Sequence, residues 1–176
     1  SIKKIDLEGA TLLPSFLDSH SHFTSYANSL LQVPLEGAAS FADIVGRIKA
    51  FVQDNGIPKG KWVVGAGYDH NQLEEGLHPP LSLLDGAAPD NPLILQHQSG
   101  HMGVLNSLAL TALGITPETP SPSGGKIGVE DGALTGYLEE NAFIGCLTFQ
   151  NTRPGPRSTA DGHSPGPCPR SVRLRW

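Results

Sequence analysis

Two short runs, Trp62-Val63-Val64-Gly65-Ala66-Gly67 and Pro92-Leu93-Ile94-Leu95-Gln96-His97, constrain the fold most, because their apolar residues are consecutive and not alternate. Strands of this kind are buried on both faces, as in parallel sheets covered by helices. Ahead of the first run, Phe41, Ile44, Val45, Ile48 and Val52 fall on one face of a helix of about three turns over 41–52, with Ser40 as its N-cap. Strands alternating with helices predict an α/β fold with parallel strands. Ile5–Leu7 and Thr11–Leu17 read as further strands. Asn106–Leu113 reads as a short helix stopped by Gly114. Lys126–Leu138 reads as a hairpin turning at Glu130-Asp131-Gly132, and Pro79–Pro92 as a loop holding one helical turn at most.

The composition changes abruptly near Asn151. Up to Thr152 the chain has 7 Lys and Arg against 16 Asp and Glu, whereas 153–176 holds five arginines, no lysine and the single acid Asp161 among five prolines. That segment has too little apolar surface to fold, so 151–176 is expected to be a disordered Pro/Arg-rich tail, natural or the product of a lost reading frame. The formal charge of −5 offers no basic surface for nucleic acid, and no apolar run approaches the ~20 residues that span a bilayer. Neither partner is expected, and cytoplasm is the default compartment. Cys146 and Cys168 form no CxxC and read as ordinary thiols.

His20-Ser21-His22 is the strongest local signal. In an extended segment, residues two apart point the same way, so both imidazoles can face one cation. The pair follows the apolar run Leu12–Leu17 and Asp18, at a strand end of the sort where a (β/α) barrel places its catalytic groups. His97 and His101 have the spacing of a helical metal pair, but Gly100 lies between them and no glutamate follows His97, which argues against a zincin helix. His78 and His163 read as solvated.

The stretch from Ile5 to His22, an apolar strand followed by Pro14-Ser15-Phe16-Leu17-Asp18 and His-x-His, resembles the entry to the catalytic barrel of the amidohydrolase superfamily, with Ser15 in place of the usual glycine. Gly65–Asn71, Pro79–Asp85, His101–Leu110 and Thr135–Glu140 are similar to the type-three branch, which includes N-substituted formamide deformylases. The resemblance covers 5 to about 150. It implies the N-terminal portion of a (β/α)8 TIM-like barrel over 13–150, incomplete at this length, with 1–12 as a remnant strand of a composite β-sandwich. It further implies a divalent metal, zinc most often, held by His20 and His22, and hydrolysis of a non-peptide C–N bond in a small amide.

By the same resemblance His101 stands beside the substrate, the alternative being a structural hydrogen bonder. Glu140 either supports the pocket or is a surface carboxylate. His70, at a strand end, lines the pocket or is a loop histidine. No catalytic proton carrier is identified. Because later ligands have no counterpart in the chain, little or no activity is expected from it alone, and an unpaired barrel edge points to homo-oligomers. Two other readings stay open: a truncated inactive remnant, and a metal-binding module without catalysis.

Overall fold

The computed structural model describes residues 29–152 together with Asp6, Glu8, Gly9 and Thr11, and the side chains up to residue 147. His20, His22, nearly all of the strands expected before residue 18, and the arginine-rich segment lie outside the described residues.

The described chain runs β1 (Val33–Pro34), α1 (Phe41–Asp54), β2 (Val63–Tyr68), α2 (Leu81–Ala87), β3 (Leu93–His97), β4 (Met102–Leu105), α3 (Ser107–Leu113), β5 (Gly125–Glu130), β6 (Ala133–Glu140) and α4 (Asn141–Thr152). The six strands form one mixed sheet in the order β1-β2-β3-β4-β6-β5. β1, β2 and β3 are parallel, as the alternation with helices predicts. The other half is antiparallel: its β5–β6 hairpin is the one the sequence predicts, whereas β4 and its pairing with β3 and β6 were not anticipated. The cause is the connection: only residues 98–101 separate β3 from β4, and a parallel return needs a crossover of a dozen or more residues.

α1 forms where its apolar stripe and cap predict. Ser40 Oγ accepts the Asp43 N–H at 3.2 Å, Ile44 and Ile48 are fully buried, and the Asp43 carboxylate accepts the Ala39 N–H and pairs with Arg47 at 2.9 Å. The Arg47 guanidinium also donates to the Pro34 and Glu36 carbonyls, which ties α1 to the end of β1. α2 has two turns where one was expected. Its Leu84 and Ala87 are buried, and Asp85 accepts both the backbone N–H and the hydroxyl of Ser107 at 2.8 Å, so tertiary contacts extend a segment of weak local signal.

β3 is buried on both sides because the sheet separates two cores. Leu93 and Leu95 pack with Ile44, Ile48, Leu84 and Ala87, while Ile94 packs with Leu105, Leu110, Ala142 and Phe143. The fully buried Asn106 links the layers. Its Oδ1 accepts the N–H groups of Leu93 and Ala109, both at 2.9 Å, and its Nδ2 donates to the carbonyls of Ala88 and Asn91. It is also the N-cap of α3, which ends at Gly114 in the left-handed conformation at φ 70°. The β5–β6 hairpin turns at Asp131-Gly132, both at positive φ, with Glu130 paired to Ala133. No helix among the described residues is long and apolar enough to cross a membrane.

Candidate metal centre

β2 and β3 are adjacent and parallel, so their C-terminal ends lie on the same side of the sheet, and Tyr68 is the register partner of His97. The ladder shifts between Ala66 and Tyr68, where Gly67 takes φ 93° against Glu36. A Cβ there would lie 2.6 Å from Glu36 Cγ, so glycine is required both for the backbone and for the space. The irregularity turns the Tyr68 ring into the core and leaves Asp69 and His70 at the strand end, beside His97.

Three donor atoms converge there. His70 Nδ1 lies 3.2 Å from His97 Nε2, Asp69 Oδ1 lies 3.5 Å from His97 Nε2, and Asp69 Oδ1 lies 4.0 Å from His70 Nδ1. The side chains of His97, Asp69 and His70 are 7%, 10% and 27% exposed, so the cluster is sheltered and opens on the His70 side. Each donor is held from behind. The Asp69 carboxylate accepts the Asn71 N–H at 3.0 Å, the Asn71 side-chain amide, and the Gln98 amide at 2.5 Å. The Asn71 backbone bond is the main reason its carboxyl sits below the ordinary range, with the Asn71 side chain and His97 adding to it. His97 Nδ1 accepts the Ser99 N–H at 3.1 Å and lies 2.9 Å from Ser99 Oγ. Burial, then the neighbouring His70, lowers the His97 pKa and keeps the ring neutral.

A second layer closes the cluster. His78 stacks on His70 with ring centres 4.1 Å apart, meets Tyr137 at 4.9 Å, and lies 3.0 Å from the Tyr68 hydroxyl through Nδ1. This corrects the expectation of a solvated His78: the histidine is half-buried because a sheltered tyrosine and a facing histidine take its ring out of water. Burial, followed by the charges of His70 and His97, pushes its pKa down to about 4. Burial raises the Tyr68 phenol, which therefore stays protonated and donates to His78 Nδ1. Tyr137 donates to Glu139 at 2.6 Å, and burial pushes its pKa up to about 12.

Of the residues singled out in the sequence, His70 belongs to the cluster. His101 and Glu140 pair with each other instead, Nδ1 to Oε2 at 3.1 Å, with both side chains more than half exposed. Glu140 adopts φ 49°, a conformation costly for a non-glycine residue, and its N–H donates to the His101 carbonyl at 2.6 Å. His20 and His22 lie outside the described residues. Asp69 and His97 were not anticipated as a pair. The available signal was that each stands at the end of an apolar strand run, on strands expected to be parallel.

A model of the amidohydrolase family matches residues 3–161, which carries the match into the arginine-rich segment. The putative amidohydrolase YtcJ of Bacillus subtilis (strain 168) is 36% identical over 142 residues, covering 80% of this chain and 26% of that protein. The N-substituted formamide deformylase of Arthrobacter pascens is 33% identical over 141 residues, covering 78% and 26%. Among solved structures, uncharacterized metal-dependent hydrolases from Pyrococcus furiosus and Pyrococcus horikoshii OT3 superpose with TM-scores of 0.56 and 0.57, each 27% identical and covering 80% of this chain and 25% of theirs. The chain spans about a quarter of the length of these relatives.

Proposed function

Since the chain belongs to the amidohydrolase family, in its type-three branch, we propose that it contributes the first part of a metal-dependent hydrolase acting on a non-peptide C–N bond of a small amide. The observation that carries this reading is the convergence of Asp69, His70 and His97 at the C-terminal ends of two neighbouring parallel strands, the side on which α/β barrels and sheets hold their ligands. Imidazole and carboxylate donors fit a first-row divalent ion, with zinc as the choice proposed here. When bound, such an ion supplies an acidified water and polarises a carbonyl. His20 and His22 are proposed as ligands of the catalytic ion, His70, first read as a pocket residue, as a ligand beside Asp69 and His97, and His101 and Glu140 as groups that touch substrate or support ligands.

Beside His78 and Tyr137 lies a cleft of about 730 Å³ flanked by Leu77, Leu81, Lys126 and Val129. It is proposed to take the apolar substituent of the amide, with His78 and Tyr137 orienting it and excluding water. In this reading residues 13–150 are the opening units of a (β/α)8 barrel, 1–12 a strand of an accompanying sandwich and 151–176 a tail, and copies associate through open sheet edges. The compact metal-type donor set also favours a second reading: metal binding with no turnover. The experiment is to load the purified chain with zinc and assay a panel of N-formyl and N-acyl compounds beside His20→Ala. Metal-dependent turnover that the substitution abolishes supports the hydrolase. Bound zinc without turnover favours the binding module, and neither points to an inactive remnant.

A further inference from the structure

We propose that Asp69, His70 and His97 form a three-ligand site for a divalent transition metal that assembles without His20 and His22. A tetrahedral ion with bonds of about 2.0–2.1 Å holds its ligand atoms about 3.4 Å apart. The three separations here are 3.2, 3.5 and 4.0 Å, so one ion reaches all three atoms with side-chain adjustments of a few tenths of an ångström. Three protein ligands leave a position open for water or substrate, and His70 is the most exposed of the three side chains. Two imidazoles and one carboxylate select zinc, cobalt or nickel over calcium and magnesium, which want oxygen throughout.

The metal-free hydrogen bonding orients the side chains of the site. His97 Nδ1 accepts the Ser99 N–H, which places the ring proton on Nε2, between Asp69 Oδ1 and His70 Nδ1. A metal ion takes the place of that proton. The proton then moves to Nδ1, where Ser99 Oγ at 2.9 Å accepts it, while the Ser99 N–H, which donates to Nδ1 in the metal-free state, has to turn away from the ring. Asp69 keeps its Asn71 and Gln98 donors and remains a pre-oriented anionic ligand. The polar residues Ser99, Asn71 and Gln98 thereby acquire a common role, which Ser99 combines with accepting the His101 N–H.

The test is a Co²⁺ titration of the full chain carrying His20→Ala and His22→Ala, followed by visible absorption and by competition with Zn²⁺. One equivalent of Co²⁺ should bind with the visible bands of a low-coordinate nitrogen and oxygen site. In that background His70→Ala and Asp69→Asn should each weaken binding at least tenfold, and Ser99→Ala about tenfold. Circular dichroism of His70→Ala should match that of the parent, with a modest fall in the metal-free melting temperature for the lost contacts to His78 and His97. Absence of Co²⁺ binding by the folded double variant overturns the proposal, as does unchanged affinity in folded His70→Ala. The readout is spectroscopic and independent of turnover, so failure of the hydrolase reading leaves its outcome intact.

Discussion

Asp69 and His97 come from the ends of two adjacent parallel strands and meet with the carboxylate Oδ1 3.5 Å from the imidazole Nε2, although 28 positions apart in the chain. Both are fixed from behind, by Asn71 and Gln98 on one side and Ser99 on the other, so the pairing is built into the ends of the strands.

The contact depends on the kink at Gly67. Gly67→Ala forces a side chain onto Glu36 at a backbone angle that L-residues avoid, and should cost about 1–3 kcal/mol. A denaturation midpoint measured in urea checks the cost. Because the kink also sets Asp69 and His70 beside His97, metal affinity should fall in the same variant even where it is folded.

Asn106 should be the most sensitive polar position in the core. Asn106→Ala strands the buried N–H of Leu93 and that of Ala109 and removes the cap of α3, a loss of about 3 kcal/mol. Equilibrium unfolding of the purified variant measures it. A change below about 1 kcal/mol would mean that water satisfies these groups.

Acid should destabilise the metal-free protein from the histidine range downward. The folded pKa of His78, about 4, is below the value of about 6.5 in an unfolded chain, so the unfolded state binds more protons between those limits. Stability is therefore complete above pH 6.5 and falls as pH drops toward 4, by about 1 kcal/mol once solvent screening of this half-buried ring is counted. The lowered pKa of His97 acts in the same direction. His78→Gln should flatten the slope of melting temperature against pH between 6.5 and 4.

Local features were legible in the sequence. The stripe from Phe41 to Val52 and the Ser40 cap define α1, Gly114 ends α3, and Asp131-Gly132 turns the last hairpin, because each depends on neighbours within one or two turns of chain. The two apolar runs became β2 and β3 for the same reason. Most of what escaped was set by distance along the chain: the burial of His78 comes from Tyr68 and Tyr137, and the role of His97 exists only once β2 lies beside β3. The direction of β4 follows instead from the short 98–101 link, and it escaped because no strand was read over Met102–Leu105. α4 escaped because Gly145 interrupts its pattern and the composition breaks at its end.

The most direct test of the metal centre reads the imidazole nitrogens themselves. Long-range proton–nitrogen correlation spectra of the nitrogen-15-labelled chain, assigned by single substitutions, should show His97 with its proton on Nε2 before zinc is added, as the Ser99 N–H on Nδ1 requires, and on Nδ1 afterwards, because the metal occupies Nε2. His70 Nδ1 should shift in the same step, while His101, paired with Glu140, should not. If His97 keeps its Nε2 proton at saturating zinc, no ion sits between Asp69, His70 and His97, and the account of this site is wrong.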